Sequence, residues 1–425
     1  MRNWIKNFDE LATTPNRKIV LKIIEAGLNA ISTEKVVESS VLVIGNILFI
    51  KEKPFNLTKY RKIKIVGFGK SSCDAALALE KILGPRIKEG IVIGLYKVDS
   101  KYVETFAGTH PRPSEANIEA GKKIYEMLND SSEDDLIIAL VSGGGSALLC
   151  YGEDECKAGA ELYDGFLKSG KTISEVNTVR KHLSILKGGG LAKLAYPATI
   201  IGLIFSDIPG DIFENVASGP TYKDKTTIAD AQKIIKENDL GNFDLIETPK
   251  EDKYFDNVYN FVLVSNKTAV EAMTKKAQEF KLGISVVSTD LYDETNKALE
   301  KIFSVEKDNS VVLAAGEPSI IVKKEAGTGG RNLHMGLETI KMKLIDNNSV
   351  FISFASDGMD NSDAAGAVVD KNTIKKSEKL GLDAGDYLNR FDSYTFFRKT
   401  GDMIMTGPTG ANVSDLMILL TKNGK

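Results

Sequence analysis

The sequence predicts an α/β fold built as two domains. Apolar runs that end in Gly, Ser or Asp alternate with amphipathic stretches along most of the chain, a pattern typical of parallel sheets flanked by helices. A polar, poorly patterned segment, residues 241–256, separates two series of such runs. The length of 425 residues also suits two or three domains.

We expect the domains to span residues 1–245 and 257–425, each a mainly parallel sheet flanked by helices, the N-terminal one Rossmann-like. The predicted strands are Ile63–Gly67, Ile91–Gly94, Leu136–Ser142, Thr199–Asp207, Phe261–Ser265, Ile284–Thr289, Val311–Glu317 and Val350–Asp357. The first 48 residues are predicted to be helical. The other predicted helices are Ser72–Leu83, Thr172–Ala195, Ile228–Glu237, Thr268–Phe280 and Asn296–Phe303.

Composition excludes several classes of protein. The net charge is −3, which gives no overall attraction for nucleic acid or an anionic membrane. The longest apolar run, Val41–Ile50, is too short to span a bilayer, and the start of the chain has no signal-peptide pattern. Cys73, Cys150 and Cys156 form no CxxC pair, so neither a disulfide framework nor a zinc site is expected. The expectation is a reduced, cytoplasmic protein.

A glycine-rich loop follows the predicted strand that ends at Ser142. Gly143, Gly144 and Gly145 come next, and then Ser146. Consecutive glycines let backbone N–H groups converge on one point, and the serines add hydroxyl donors. An anion cradle is favoured over a flexible turn.

Lys70 follows another predicted strand, within GFGKSS at residues 67–72. A P-loop would need glycine at position 64, which is Lys64, and no third glycine completes a GxGxxG pattern. Lys70 still lies at a strand-to-helix turn, where it could face a phosphate or carboxylate group. The alternative is a solvated lysine.

Polar and basic residues lie on one face of the predicted helix 172–195. Asn177, Arg180 and Lys187 are on this face, which runs into Gly188 and Gly189. A basic face alone is usually solvated, but adjacent glycines allow close approach of a ligand.

Carboxylates follow several predicted strands. Asp207 could bind Mg²⁺ or accept a proton from a hydroxyl group, although Asp-Ile-Pro-Gly also favours a turn. Glu317, Asp357, Asp360 and Asp363 are further carboxylates near strand ends, and oxygen ligands of this kind suit Mg²⁺. Together with the cradle and the basic residues, they match the requirements of phosphoryl transfer.

A serine-nucleophile enzyme is not expected. The three histidines, His110, His182 and His334, are scattered, and Ser142 and Ser146 lie in no GxSxG elbow.

Eight motifs, in order, resemble the type II glycerate kinase family with its C-terminal MOFRL-type domain. They are GFGKSS (67–72), HPRPSE (110–115), SGGGSALL (142–149), NTVRKHLSILKGGGLA (177–192), SDIPGD with VASGPT (206–221), GGRNLHMGL (329–337), SDGMDNSDAAGAVVD (356–370) and TGPTGANVSDL (406–416). The resemblance covers about residues 5 to 420.

The resemblance implies ATP- and Mg²⁺-dependent phosphorylation of D-glycerate, typically at the 2-hydroxyl, in a cleft between the domains. The family's motifs place its suspected catalytic or substrate residues at Lys70 and Arg331. Asn332, Thr409 and Asn412 stand in the matched motifs and are further substrate-binding candidates. Leu333 replaces the family's usual glutamine, which puts a polar contact from that position in doubt.

Two alternatives remain from the sequence. One is an NAD(P)-dependent hydroxypyruvate reductase, a rival label in the family's history, which the missing GxGxxG pattern disfavours. The other is a non-catalytic sugar-acid or nucleotide sensor, which has no need of so many carboxylates at strand ends. The expected partners are D-glycerate and ATP, with a homodimer left open and no nucleic acid or membrane.

Overall fold

A computed structural model describes residues 3–169, 173–210, 212–322 and 326–422. Thr172, where one predicted helix begins, and Asp211 of the SDIPGD motif lie outside the described residues. Within the described ranges, no helix is both long enough and apolar enough to cross a membrane.

The secondary structure alternates as predicted through most of the chain. The helices are α1 (Phe8–Leu11), α2 (Pro15–Ala30), α3 (Thr33–Ser40), α4 (Ser72–Leu83), α5 (Glu115–Asn129), α6 (Gly145–Leu148), α7 (Glu153–Ser169), α8 (Ile173–Lys181), α9 (Gly190–Ala195), α10 (Ile228–Glu237), α11 (Asn266–Glu279), α12 (Thr295–Ser304), α13 (Arg331–Lys341), α14 (Lys371–Lys379), α15 (Ala384–Asn389) and α16 (Ser393–Thr400). The strands are β1 (Val41–Ile44), β2 (Ile47–Ile50), β3 (Lys53–Asn56), β4 (Lys62–Phe68), β5 (Ile87–Gly94), β6 (Glu104–Ala107), β7 (Asp135–Ser142), β8 (Thr199–Phe205), β9 (Val258–Val264), β10 (Gly283–Leu291), β11 (Ser310–Gly316), β12 (Ser349–Ala355), β13 (Gly366–Asp370), β14 (Met403–Ile404) and β15 (Asp415–Thr421).

The chain divides into two compact units whose limits differ from the predicted 1–245 and 257–425. The N-terminal unit comprises Thr33–Ile208 and Ile212–Leu263. The C-terminal unit contains the chain up to Ser32, the short stretch that begins at Pro209, and the chain from Val264 onward. Two elements account for the difference: α2 packs on α11 of the C-terminal unit, and β9 lies next to β8 at the edge of the N-terminal sheet.

The N-terminal unit holds a six-stranded sheet in the order β6-β5-β4-β7-β8-β9. The pairs β4–β5, β5–β6, β4–β7 and β7–β8 are parallel, so the predicted parallel sheet is confirmed. From β4 the chain moves outward to β5 and β6, then returns to the other side of β4 with β7. In open sheets of this kind, ligands bind beyond the carboxyl ends of the strands at this reversal point.

The C-terminal unit holds a second six-stranded sheet, in the order β10-β11-β15-β12-β13-β14. Only β10 and β11 pair in parallel among these strands, whereas β15 is antiparallel to both β11 and β12. The pairs β12–β13 and β13–β14 are also antiparallel. Four strands, β10, β11, β12 and β14, therefore share one direction. Only one of the five strand pairs is parallel, because three strands that were not foreseen, β13, β14 and β15, pair antiparallel with their neighbours.

Three local expectations are wrong. The predicted helix to Ala195 is two helices, α8 and α9, because Gly188 and Gly189 between them have φ of +55° and +89°, which ends helical geometry. Helix stops at Ser40 rather than near residue 48, and β1–β3 form a small antiparallel sheet. Cys150 and Cys156 form a disulfide, since the start of α7 brings their Cα atoms to 5.7 Å, within disulfide range.

Arg17 on α2 anchors the N-terminal helices in the C-terminal unit. Its guanidinium is buried and lies 2.7 Å from carboxylate oxygens of both Asp370 and Asp402. It also donates to the Thr373 hydroxyl at 2.8 Å. Burial opposes the charge, but hydrogen bonds and charges from Asp370 and Asp402 outweigh it and raise the pKa of Arg17.

Replacing Arg17 should therefore destabilise the C-terminal unit. Arg17→Met leaves the buried Asp370 carboxylate without its cation and leaves Asp402 with Lys376 alone, and we expect a loss of roughly 3–5 kcal/mol in the free energy of unfolding by urea titration. The adjacent exposed residue provides the control, since Lys18→Met should change stability by less than about 0.5 kcal/mol. Equal stability of the two variants would show that the Arg17 network is not an anchor.

Candidate active site

The turn after β4 holds Lys70 against the loop after β7. Gly69 has φ +126°, and a Cβ there would lie 2.2 Å from the Ser142 hydroxyl. The backbone N–H of Lys70 donates to the Gly143 carbonyl at 2.8 Å. Ser142 accepts a hydrogen bond from the Ser71 N–H at 3.1 Å. Lys70 is thus fixed beside the glycine-rich loop at the reversal point of the sheet.

Ser142 itself supports this turn. Its hydroxyl is buried and lies 3.3 Å from the Ser72 hydroxyl, besides accepting from Ser71. In this structure the hydroxyl of Ser142 serves the β4 turn, and its contact with a phosphate stays a prediction.

Asp207 reaches the same loop from the end of β8. A Cβ on Gly143 would lie only 2.0 Å from the Asp207 Oδ2 atom. Gly144 has φ +77°, and a Cβ there would lie 3.2 Å from the side chains of both Lys70 and His110. The two glycines therefore mark the point at which Lys70, Asp207 and His110 converge. His110 was not among the predicted site residues, although its HPRPSE motif could have indicated this position.

Ser146 begins a second group of polar side chains. Its hydroxyl lies 2.8 Å from that of Ser218, which donates to the Asn177 Oδ1 atom at 3.1 Å. Ser218 and Ala217 both have positive φ, +61° and +51°, a backbone geometry that is rare outside glycine and often found at functional sites. Ser218 was absent from the predicted site, although VASGPT was among the matched motifs.

Arg180 joins this group through Asn177, to whose Oδ1 it donates at 3.4 Å. Burial lowers the pKa of Arg180 to about 10, so the guanidinium stays charged at neutral pH. Among the described residues, no Asp or Glu lies within ion-pair distance of it. A half-buried cation without a carboxylate partner in the described chain is suited to bind an anion.

Residues 187–189 form hydrogen bonds within the protein, and their phosphate contacts stay predictions. Lys187 is buried, and its Nζ donates to the Leu149 carbonyl at 2.7 Å and to Glu155 at 2.5 Å. The N–H groups of Gly188 and Gly189 donate to the carbonyls of Ser218 and Gly219 at 2.9 and 2.8 Å. These donors hold the Ser218 turn in place. Burial lowers the pKa of Lys187, and the charge of Glu155 opposes that shift.

In the C-terminal unit, Arg331 at the start of α13 lies between two carboxylates. Its Nε donates to Asp415, and its Nη2 lies 3.2 Å from the Glu317 Oε1 atom. Burial opposes the charge, but Asp415 and Glu317 outweigh it and raise the pKa of Arg331. The guanidinium is about one third exposed, so it is held in orientation and remains accessible.

Asn332 and Asp360 brace the start of α13. The Asp360 carboxylate accepts from the N–H groups of Asn332 and Leu333 at 3.2 and 2.8 Å. Asn332 also accepts from the Ser353 hydroxyl at 2.6 Å and is buried. A substrate contact from Asn332 stays a prediction and would replace one of these bonds. Leu333, in the position of the family's glutamine, is fully buried in the core.

The remaining predicted residues of this unit are not assembled as a metal site. Asp357 is half-buried and accepts from the Met359 N–H at 3.1 Å, whereas Asp363 is exposed and hydrogen-bonds to Tyr394. Within the described ranges, no group of three or more His, Cys, Asp or Glu could hold a metal ion. The metal contacts of Glu317, Asp357 and Asp363 stay predictions.

Thr409 has a structural role in the loop before β15. Its hydroxyl donates to the Ser356 carbonyl at 2.7 Å, and its N–H to the Asp357 carbonyl at 3.1 Å. The hydroxyl is buried in these bonds, and a substrate contact from Thr409 stays a prediction. Asn412, three residues later, is half-buried and keeps its predicted role only as a proposal.

Comparison with known proteins agrees with the motifs. Residues 19–246 match the family described as Domain of unknown function (DUF4147), and residues 310–415 match the MOFRL family. A glycerate 2-kinase of Pyrococcus horikoshii is 32% identical over 96% of this chain and 98% of its own length. The chain belongs to the type II glycerate kinase family.

Two further relatives bear on the family's fold and its names. The crystal structure of glycerate kinase from Thermotoga maritima matches with a TM-score of 0.80, at 29% identity, over 95% of this chain and 99% of that one. A relative from Agrobacterium vitis, provisionally named hydroxypyruvate reductase, is 34% identical over 84% of this chain and 86% of its own length. The reductase name therefore persists within the family.

Two buried carboxylates beside Arg331 should give stability a distinctive pH dependence. Burial raises the pKa of Asp360 to about 6, and it does the same for Asp415. A carboxyl group with a raised pKa contributes stability that is present below its unfolded value of 3.8 and is lost as pH rises through about 6. We expect each to contribute about 3 kcal/mol at most to this loss.

The test compares urea unfolding between pH 4.5 and 7.5. The stability of Asp360→Asn relative to the wild type should rise with pH over this window, because the variant has no carboxylate to ionise there. Asp308→Asn, at an exposed turn, should follow the wild-type curve. A constant difference between Asp360→Asn and the wild type would contradict the raised pKa.

Proposed function

We propose that the protein transfers the γ-phosphoryl group of ATP to the 2-hydroxyl of D-glycerate, giving 2-phosphoglycerate. The observation that carries this proposal is the convergence of Lys70, Asp207 and the Gly143–Gly144 loop beyond the carboxyl ends of three adjacent parallel strands. A cation, a carboxylate and a glycine-rich loop at a sheet's reversal point suit phosphoryl transfer. The names of the relatives support the same activity.

Asp207 is our candidate for the base. In the proposed step, the substrate 2-hydroxyl oxygen forms a bond to the γ-phosphorus, the bond from that phosphorus to the bridging oxygen breaks, and ADP leaves. The hydroxyl proton passes to the Asp207 carboxylate. Lys70 offsets the negative charge of the substrate carboxylate or of the transferring phosphoryl group.

Phosphate oxygens are assigned to the donors around Ser146. The hydroxyls of Ser146 and Ser218, the guanidinium of Arg180 and the N–H groups of the Gly143–Gly145 loop offer neutral and charged donors to an anion. Asn177 aligns two of these groups, because the Ser218 hydroxyl and the Arg180 guanidinium both donate to its Oδ1 atom.

Arg331 serves as a second phosphate or carboxylate contact, pre-oriented by Glu317 and Asp415. The family resemblance predicts that residues of both units serve one reaction, and this stays a prediction. Asn412, in the TGPTGAN motif, stays a proposed substrate contact on the same ground.

The residues fit magnesium bound with ATP rather than magnesium held by protein alone. Mg²⁺ commonly takes one or two carboxylates and completes its shell with phosphate oxygens and water. Glu317 and Asp357 would supply such carboxylates, and the described chain offers no three-residue cluster. When bound, the ion would neutralise charge on the phosphate oxygens.

A reductase reaction is the second candidate, since one relative carries that provisional name. The turn after β4 disfavours it. A dinucleotide fingerprint would place a third glycine at position 72, where Ser72 is buried against Leu140 and Ser142.

Phosphorus NMR of the protein with D-glycerate, ATP and Mg²⁺ tests the proposal directly. We expect a new phosphomonoester signal that is split into a doublet by the single proton at carbon 2. A triplet would mean phosphorylation at the 3-hydroxyl. No new signal, together with NADH oxidation when hydroxypyruvate is supplied, would overturn the kinase proposal in favour of a reductase.

A single methyl group should disable the proposed centre. Gly143→Ala puts a Cβ where the Asp207 carboxylate lies, so Asp207 must move, and we expect kcat to fall at least tenfold, or about 1.4 kcal/mol in barrier. Ser304→Ala, at the exposed end of α12 in the other unit, should keep both kcat and melting temperature. Wild-type turnover in a folded Gly143→Ala protein would remove Asp207 from the mechanism.

A further inference from the structure

The C-terminal unit contains a cavity of about 590 Å³ beyond the carboxyl ends of β10 and β11. These two strands are parallel neighbours. The connections that follow them are tied together, because Thr295 N–H donates to the Ser319 carbonyl at 3.1 Å and Ser319 N–H to the Asp293 carbonyl at 2.9 Å. The carboxyl end of a parallel pair is where α/β sheets bind ligands. The volume lies within the range of small-molecule sites.

One wall of the cavity is aromatic and apolar. The rings of His334 and Phe391 are stacked, with centroids 5.7 Å apart and an interplanar angle of 13°, and Leu388 lies beside them. Phe391 has φ +52°, which is unusual for a bulky residue and is found where function constrains the backbone. A flat ring system could extend this stack.

Glu338 lines the same cavity, and one oxygen of its carboxylate lacks a hydrogen-bond donor. Glu338 Oε2 is buried and has no hydrogen-bond partner among the described residues. The other oxygen, Oε1, lies 3.5 Å from the His334 Nε2 atom. An unsatisfied buried acceptor is costly, so rotation of the Glu338 carboxylate toward the cavity to accept from a ligand N–H would be favourable. The amides of Asn296 and Asn389 provide further polar groups in the lining.

We propose that this cavity binds the heteroaromatic base of the phosphoryl-donor nucleotide. The base stacks on the His334–Phe391 pair, and its exocyclic amino group donates to Glu338. This rests on the proposed kinase function. Helix α13 connects the proposed base pocket to the proposed phosphate contact. Arg331, His334 and Glu338 are at positions i, i+3 and i+7 of this helix and therefore lie along one face of it. The phosphate-binding Arg331 is then at one end of that face, with the base pocket further along it.

Titration calorimetry with adenosine tests the pocket without any phosphate contact. Adenosine should bind the wild type, and Phe391→Ala should raise its Kd at least tenfold. Leu380→Ala removes an exposed hydrophobic side chain outside the cavity and should leave the Kd unchanged. No detectable adenosine binding by the wild type, or equal affinity in Phe391→Ala, overturns the proposal.

Base selectivity tests the role of Glu338. The wild type should prefer adenosine to inosine, because the inosine O6 atom would face a carboxylate with no proton to share. Glu338→Gln provides an amide that can donate to O6, so the preference should shrink at least fivefold or reverse. An unchanged preference overturns the assignment of Glu338.

Kinetic assays separate failure of this inference from failure of the kinase proposal. A tenfold rise in the KM for ATP in Phe391→Ala, with the KM for D-glycerate unchanged, supports the inference. Phosphorylation with an unchanged KM for ATP overturns the pocket and leaves the kinase proposal standing. Adenosine binding that Phe391→Ala abolishes, in a protein without kinase activity, leaves the pocket standing and overturns the kinase proposal.

Discussion

The hydrogen bond from the Lys70 N–H to the Gly143 carbonyl joins the ends of β4 and β7, and the proposed centre depends on that junction. The Ser142 hydroxyl stabilises this junction by accepting a hydrogen bond from the Ser71 N–H. Gly69 and Gly143 allow it, because a methyl group at either position would overlap Ser142 or Asp207. The glycines are therefore required by the closeness of two backbones and a carboxylate, in addition to any role of their amides toward phosphate.

Residues further along the chain orient the hydrogen-bond donors near this junction. Gly188 and Gly189 hold the Ser218 turn through backbone hydrogen bonds, and Lys187 secures the end of the loop through Leu149 and Glu155. Lys187, Gly188 and Gly189 are predicted phosphate contacts, and in the structure they hold the turn of Ser218 and its neighbouring loop in place. Arg331 is likewise held in place, because Glu317 and Asp415 orient it.

Much of the fold was predictable because strands buried on both faces are long apolar runs whose ends carry polar residues. Helices α4 and α10 have their predicted limits, and every predicted strand exists. The direction of β15 was not predictable, since an apolar run has the same pattern in a parallel or an antiparallel sheet. The assignment of α2 to the C-terminal unit was also hidden, because Arg17 meets its partners Asp370 and Asp402 more than 350 residues away.

By itself, the sequence determined the fold class, the family and the positions of Lys70, Asp207 and Arg331, because strand-end motifs are local in the chain. Only the tertiary structure decided which polar groups are already satisfied. Ser142, Lys187, Asn332 and Thr409 have donors or acceptors whose partners are distant in sequence, so no spacing rule separates them from ligand contacts. The cavity around Phe391 arises in the same way, since α12, α13 and the chain after α15 meet there only once the sheet has formed.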